Sequence, residues 1–241
     1  MERIQLKALG KINLGLDVLG KRENGYHDVR MIMQTVYLYD EVTLEKRQKP
    51  GITVSTNLIY LPTDKTNIAY RAAKILLDEF GERRGVAIHL KKHIPVAAGM
   101  AGGSADAAAV LFGMNRMFGW KLSEKELMER GVTLGADVPY CIMRGTALAE
   151  GIGEKLTRLP AMPKCHLLIA KPPISVSTKL VYEKLDALAI VDHPDIDGII
   201  EGLKDRDLIR VAGSMGNVLQ NVTETEYPVI TQIKEKMIKG G

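Results

Sequence analysis

The chain has 241 residues, enough for one large domain or two small ones and for a sizeable buried core. Apolar residues make up 46% and charged residues 26%, near the globular average, which excludes disordered, collagen-like and coiled-coil chains. The 33 basic and 29 acidic residues leave a net charge of +4, which suits anionic ligands such as phosphates but is too small a surplus to mark a nucleic-acid binder.

The N-terminus, Met-Glu-Arg-Ile-Gln-Leu-Lys, has no apolar signal core, and no run of 18 apolar residues follows anywhere, so no membrane association is expected. Ile4, Leu6 and Ala8, then Ile12, Leu14, Leu16 and Val18, alternate as strands do; Lys11, Asn13, Gly15 and Asp17 then share the opposite face. Lys21 to Asp28 is a charged turn built on Asn24-Gly25. Strands are predicted at Met31–Leu38, Glu41–Glu45 and Ile52–Ser55, a helix from Asn67 to Phe80, and a short strand at Val86–Leu90. A small-residue loop from Pro95 to Ser104 leads into an Ala-rich helix from Ala105 to Phe118. Ser123 and Glu126 form a capping box that opens another helix reaching about Gly135. Gly145–Gly153 reads as a strand and turn, and Cys165–Ala170 as a buried strand. Helices are predicted at Ser177–Leu188, Leu208–Met215 and Tyr227–Ile238, with a polar turn at His193–Asp197. Pro160 and Pro163 suggest a domain boundary near residues 155–165, and the mixture of strands and helices without strict alternation indicates an α+β fold. Cys141 and Cys165 lack metal-ligand spacing and read as free thiols of a reducing cytoplasm; no metal centre is expected from them, and His89, His93, His166 and His193 show no ligand spacing either.

Most of the chemistry lies in Pro95–Asp106. A glycine-rich loop after a strand and before a helix presents backbone N–H groups, and the helix N-terminus adds partial positive charge, so the segment suits a phosphate. It is neither a Walker A motif, since no Gly-Lys-Ser/Thr follows, nor Gly-x-Gly-x-x-Gly. The residues alone fit a tight strand-to-helix turn equally well. Ser104 is either the helix N-cap or a ligand to Mg²⁺.

The run PVAAGMAGGSADAA resembles the phosphate loop of the GHMP kinases, small-molecule kinases named for galactose, homoserine, mevalonate and phosphomevalonate. The opening KALGKINLGLDVLGKRENGYHDV, the run Leu134-Gly-Ala-Asp-Val-Pro139, and Val176-Ser-Thr178 followed by Tyr182 are similar to one branch of that superfamily. That branch phosphorylates the 2-hydroxyl of 4-diphosphocytidyl-2-C-methyl-D-erythritol. The resemblance implies an α+β two-domain kinase, with a ribosomal-S5-like N-terminal domain over 1–155 and a ferredoxin-like domain over 156–241. It implies ATP as phosphoryl donor, with Mg²⁺, and a cytidine diphosphate-linked methylerythritol as partner, in a monomer or homodimer that binds no nucleic acid.

By the same resemblance ATP lies along Pro95, Val96, Ala97, Ala98, Gly99, Met100, Ala101, Gly102, Gly103, Ser104 and Ala105, with Lys92 and Asn67 nearby. Lys11 and Asp137 form the implied catalytic pair: Asp137 accepts the hydroxyl proton and Lys11 keeps it ionised. Read without the family, Asp137 is better explained as the cap of a short helix and Lys11 as a solvated strand lysine. Asn13 is implied at the substrate diol. Tyr26, His27, Thr178 and Tyr182 are implied at the cytosine, with the base stacked between Tyr26 and Tyr182 and its edge read by His27. Met100-Ala101 and Ala105 stand where the family often has Leu-Gly and Ser, swaps compatible with phosphate binding. The family usually continues into a Met-Ser-Gly-Ser-Gly-Pro loop, whereas this sequence stops at Gly240-Gly241; a chain ending there is expected to be an impaired catalyst.

Overall fold

A computed structural model describes residues 1–174, 176–187 and 192–240. The two alternating runs near the N-terminus form one strand, β1 (Arg3–Lys21), and after the Asn24-Gly25 turn the chain returns as β2 (His27–Arg47). Two strands were expected in place of β2. Asp40, in the gap between them, is fully buried, and its Oδ1 accepts the backbone N–H groups of His93 at 2.6 Å and Ile94 at 2.8 Å. Nor does β1 keep one wet face: Lys11, Gly15 and Asp17 are buried along with Leu14, Leu16 and Val18. The two long strands are hydrogen-bonded neighbours, and both run through two compact units, residues 1–12 with 35–145 and residues 13–34 with 146–241.

In the first unit, β3 (Ile52–Thr56) leads to α1 (Ile68–Glu79), β4 (Gly85–Lys91), α2 (Gly102–Phe118), α3 (Glu124–Val132) and α4 (Val138–Met143). β4 lies parallel to β3 and antiparallel to β2, with Glu41 opposite Lys91 and Arg47 opposite Gly85. Alanines dominate the α1 and α2 contact because the two helices lie close: Ala69, Ala72 and Ala73 are buried on one and Ala105 and Ala107 to Ala109 on the other. Gly113 lets α2 settle onto the sheet, since a Cβ there would stand 2.6 Å from both Leu6 and Leu44. The Ser123–Glu126 capping box opens α3, as expected, and Asn67, read as the first residue of a helix, is the cap of α1. α3 stops at Val132, short of Gly135, and α4 begins separately behind Asp137.

In the second unit, β5 (Thr146–Gly151) pairs antiparallel with residues 29–34 of β2, and β6 (Lys155–Arg158) pairs with β5. Then follow α5 (Thr178–Leu185), α6 (Ile196–Asp205), α7 (Leu208–Gly213), β7 (Gly216–Asn217), α8 (Gln220–Glu226) and α9 (Pro228–Gly240). β7 runs parallel to β1 at Gly15 and Leu16. α6 lies directly on β1, where a Cβ at Gly15 would stand 2.6 Å from Ile196 and 2.7 Å from Ile199.

Cys165–Ala170 is not a buried strand. Leu167, Leu168 and Ile169 are exposed, and no strand pairs with them among the described residues. An apolar run between prolines has strand composition without the neighbour that makes a strand. The segment read as a turn at His193–Asp197 contains the start of α6, with Asp195 accepting from the Gly198 N–H at 2.8 Å. β6, β7 and α8 have no counterpart in the sequence reading. Leu188, the end of one predicted helix, falls outside the described residues. Among the described residues no helix is long and apolar enough to cross a membrane.

Candidate active site

In the first unit the loop after β4 wraps a cavity of about 400 Å³, lined by Asn67, Lys92, Asp106 and every residue from Pro95 to Gly103. Its backbone is unusual: Ala97, Gly99 and Ala101 all have positive φ, at 53°, 70° and 55°. Left-handed residues at every second position are a feature of loops whose N–H groups turn toward one side and cradle anions. Two of those three residues carry a Cβ, so the loop holds strain of the kind that collects at functional sites. The buried Met100 side chain anchors it against Val36 and Ile94. The Met100 carbonyl accepts the Lys11 N–H at 3.1 Å, tying the loop to β1 at the expected catalytic lysine.

The helix behind the loop starts earlier than the sequence suggests. Gly102 is the first residue of α2, Ala101 stands at the N-cap, and no side chain caps the helix. Ser104 is therefore not the N-cap but the third helical residue, with Ala105 behind it. The first turn of α2 offers backbone N–H donors and the positive end of a 17-residue helix to the loop.

Beneath the loop lies a cluster the sequence did not disclose. The buried Lys92 ammonium is bonded to Asp40 and, at 2.5 Å, to Asp106 Oδ2. Asp106 Oδ1 is buried without any hydrogen-bond partner. Burial pushes the Asp106 carboxyl up to about 7, opposed by the Lys92 charge and reinforced by Asp40. The native state thus keeps this proton above the unfolded value of 3.8, so Asp106 makes stability fall as pH rises from about 4 to about 7. Asp106→Asn removes that fall: in the ligand-free protein, its unfolding free energy minus that of the parent chain should increase across this window. Urea midpoints measured every half pH unit check it, and parallel profiles overturn it.

Lys92 and Asn67, both expected near ATP, line the cavity but are engaged with the protein. Lys92 is shared by two carboxylates. Asn67 accepts from the Ala69 N–H at 2.8 Å and donates to the Pro62 carbonyl at 2.7 Å.

Lys11 is buried on β1, and Asp137 sits in front of α4 without making a side-chain capping bond. The capping alternative for Asp137 is thus not realised. Both charges reach one sulfur: burial pushes the Cys141 thiol up, Asp137 pushes it further, and Lys11 opposes them. An acid and a cation are the pair that proton abstraction from a hydroxyl requires.

In the second unit, the structure sets Tyr182 against His27, with ring centroids 4.7 Å apart and planes 28° from parallel. His27 Nε2 lies 2.6 Å from Asp186 Oδ1, and Lys21 Nζ donates to Asp186 Oδ2 at 2.6 Å. Tyr26 is 60% exposed on the turn, where its N–H bonds the Asn24 side chain. Thr178 opens α5, and Asn13 is half-buried on β1. Asp186 was missed by sequence reasoning; its position one turn after Tyr182 on α5 is the signal that pairs it with the aromatic ring.

The description "GHMP kinases N terminal domain" matches residues 67–145. A 4-diphosphocytidyl-2-C-methyl-D-erythritol kinase of Lachnospira eligens is 60% identical over the whole of this chain, which spans 84% of that protein. A crystal structure of a 4-(cytidine 5'-diphospho)-2C-methyl-D-erythritol kinase superposes with a TM-score of 0.78 at 28% identity, covering 98% of this chain and 83% of its own. A homoserine kinase from Cytophaga hutchinsonii shares the fold, with a TM-score of 0.72 at 19% identity, covering 100% of this chain and 80% of its own. The α+β arrangement is thus the GHMP kinase fold, and the chain belongs to the 4-diphosphocytidyl-2-C-methyl-D-erythritol kinases.

Proposed function

We infer that the chain transfers the terminal phosphoryl group of ATP to the 2-hydroxyl of 4-diphosphocytidyl-2-C-methyl-D-erythritol, in the cytoplasmic non-mevalonate route to isoprenoid precursors. The observation that carries the reading is the uncapped N-terminus of α2 behind a loop with three left-handed residues. Donors so arranged select an acceptor-only, anionic ligand of polyphosphate type. Two unpaired thiols fit a reducing compartment.

Lys11 and Asp137 account for the chemistry. Asp137 takes the proton of the 2-hydroxyl as its oxygen bonds to the γ-phosphorus. The bond from that phosphorus to the β–γ bridging oxygen breaks, and ADP leaves. Lys11 keeps Asp137 ionised and offsets charge on the attacking oxygen. Transfer is direct, with no phosphoenzyme. The Ser104 hydroxyl, in the first turn of α2, is an oxygen donor that would fit a hard cation. Mg²⁺ held there would offset negative charge on the phosphoryl group in transfer.

In the second unit, Tyr26 and the His27–Tyr182 pair offer aromatic faces and a ring edge to the cytosine, and Asn13 a polar contact. Coupled ADP release with the cytidine substrate, mevalonate and homoserine tests the reading, with turnover expected for the first alone. Tyr182→Ala should raise KM for the cytidine substrate roughly ten- to a hundredfold, the worth of one stacking contact, and leave KM for ATP unchanged. Turnover of mevalonate or homoserine in preference to the cytidine substrate overturns it.

A further inference from the structure

We propose that Asp186, held by Lys21, is a positioning residue that fixes the tautomer of His27 and thereby makes the site prefer cytosine over uracil. The proposal rests on His27 facing the base, as inferred above. An ionised carboxylate only accepts hydrogen bonds, so the 2.6 Å contact from Asp186 Oδ1 requires a proton on His27 Nε2. In the neutral ring the other nitrogen, Nδ1, then carries a lone pair. No donor among the described residues is bonded to it.

Cytosine presents a 4-amino donor where uracil presents a 4-carbonyl acceptor. An Nδ1 lone pair therefore accepts from cytosine and faces a second acceptor in uracil. The opposite tautomer, with Nδ1 protonated, inverts that preference. Control of the tautomer is control of base choice.

Three further features make this a built arrangement. Asp186 follows Tyr182 by one helical turn, and its N–H bonds the Tyr182 carbonyl at 3.0 Å. One end of α5 thus delivers both the stacking ring and the carboxylate to the same imidazole. Lys21 occupies the second carboxylate oxygen at 2.6 Å, which holds the carboxylate in place and balances its charge. Finally, Lys21, His27 and Asp186 border one cavity of about 290 Å³, which His193 also lines. The His193 ring is tied elsewhere, with Nδ1 2.7 Å from Asp17, so it does not compete for Asp186.

Calorimetric titration of the full chain with CDP and with UDP tests the proposal, using His27→Ala, Asp186→Ala and Asp186→Asn. The parent chain should prefer CDP. Asp186→Ala should weaken CDP about twofold, tighten UDP as the Nδ1–H form becomes populated, leave ATP nearly unchanged, and so erase most of the preference. Asp186→Asn should restore it, because the amide oxygen still accepts from Nε2–H; a role limited to holding α5 in place would not move the CDP:UDP ratio. Nitrogen-15 spectra of the His27 ring should show the Nε2–H form in the parent and a tautomer mixture in Asp186→Ala. An unchanged CDP:UDP ratio in Asp186→Ala, with His27→Ala losing it, overturns this proposal and leaves the base site standing. If His27→Ala also binds CDP as the parent does, the base-site reading itself fails, and this proposal with it.

Discussion

Asp137→Asn should lower kcat about 10²–10⁴-fold, the range a positioned general base contributes, with ATP affinity changed by less than about threefold. Lys11→Ala should give a loss of similar size. The double variant should be little worse than either single one, because both residues serve one proton transfer. Removing a true cap costs about 1 kcal/mol of stability, whereas removing a base that caps nothing costs almost none. Asn caps as well as Asp, so the alanine variant separates the two roles: with no capping bond from the Asp137 side chain, Asp137→Ala should melt like the parent chain while losing turnover. Cys141 adds a spectroscopic readout. Asp137 pushes its thiol up and Lys11 opposes, so Lys11→Ala should make the thiol still harder to ionise and Asp137→Asn easier. Near-normal turnover in Asp137→Asn removes Asp137 from the chemistry.

The parts of this molecule that local sequence encodes are the parts the sequence makes legible. The Ser123–Glu126 box, the Asn24-Gly25 turn and the glycine loop each fit within a dozen residues, and each appears in the structure. Partnerships across the chain do not show in this way. Lys92 and Asp40 are 52 residues apart, and His27 and Asp186 are 159 apart. Composition gives no distance between them. Cys165–Ala170 misleads for the opposite reason. Its apolar composition suggests a strand, but pairing is a property of the neighbour and no pattern within six residues reports it.

Lys92→Met should be the most destabilising single change near the site, by about 3–5 kcal/mol, because it strands two carboxylates in the interior. Asp40 is fully buried and Asp106 nearly so, and Asp106 already has one oxygen without a partner. A loss of that size lowers Tm by roughly 10 °C in a chain of this length. Asp40 retains two backbone N–H donors, from His93 and Ile94, so it tolerates the loss better than Asp106. Adding Asp106→Asn to Lys92→Met should therefore recover a large part of the stability, a coupling that distant, independent sites would not show. The Lys92→Met defect should also shrink as pH falls from 7 toward 5, since protonation relieves the stranded carboxyls. The same variant should weaken ATP binding without touching the cytidine ligand. Lys92 Nζ lies 3.5 Å from where a Cβ on Gly102 would stand, so its loss loosens the floor under the first turn of α2. Equal melting temperatures for Lys92→Met and the parent at pH 8 would show that water or a shift of Asp106 satisfies the pair, and the cluster would then carry no structural role.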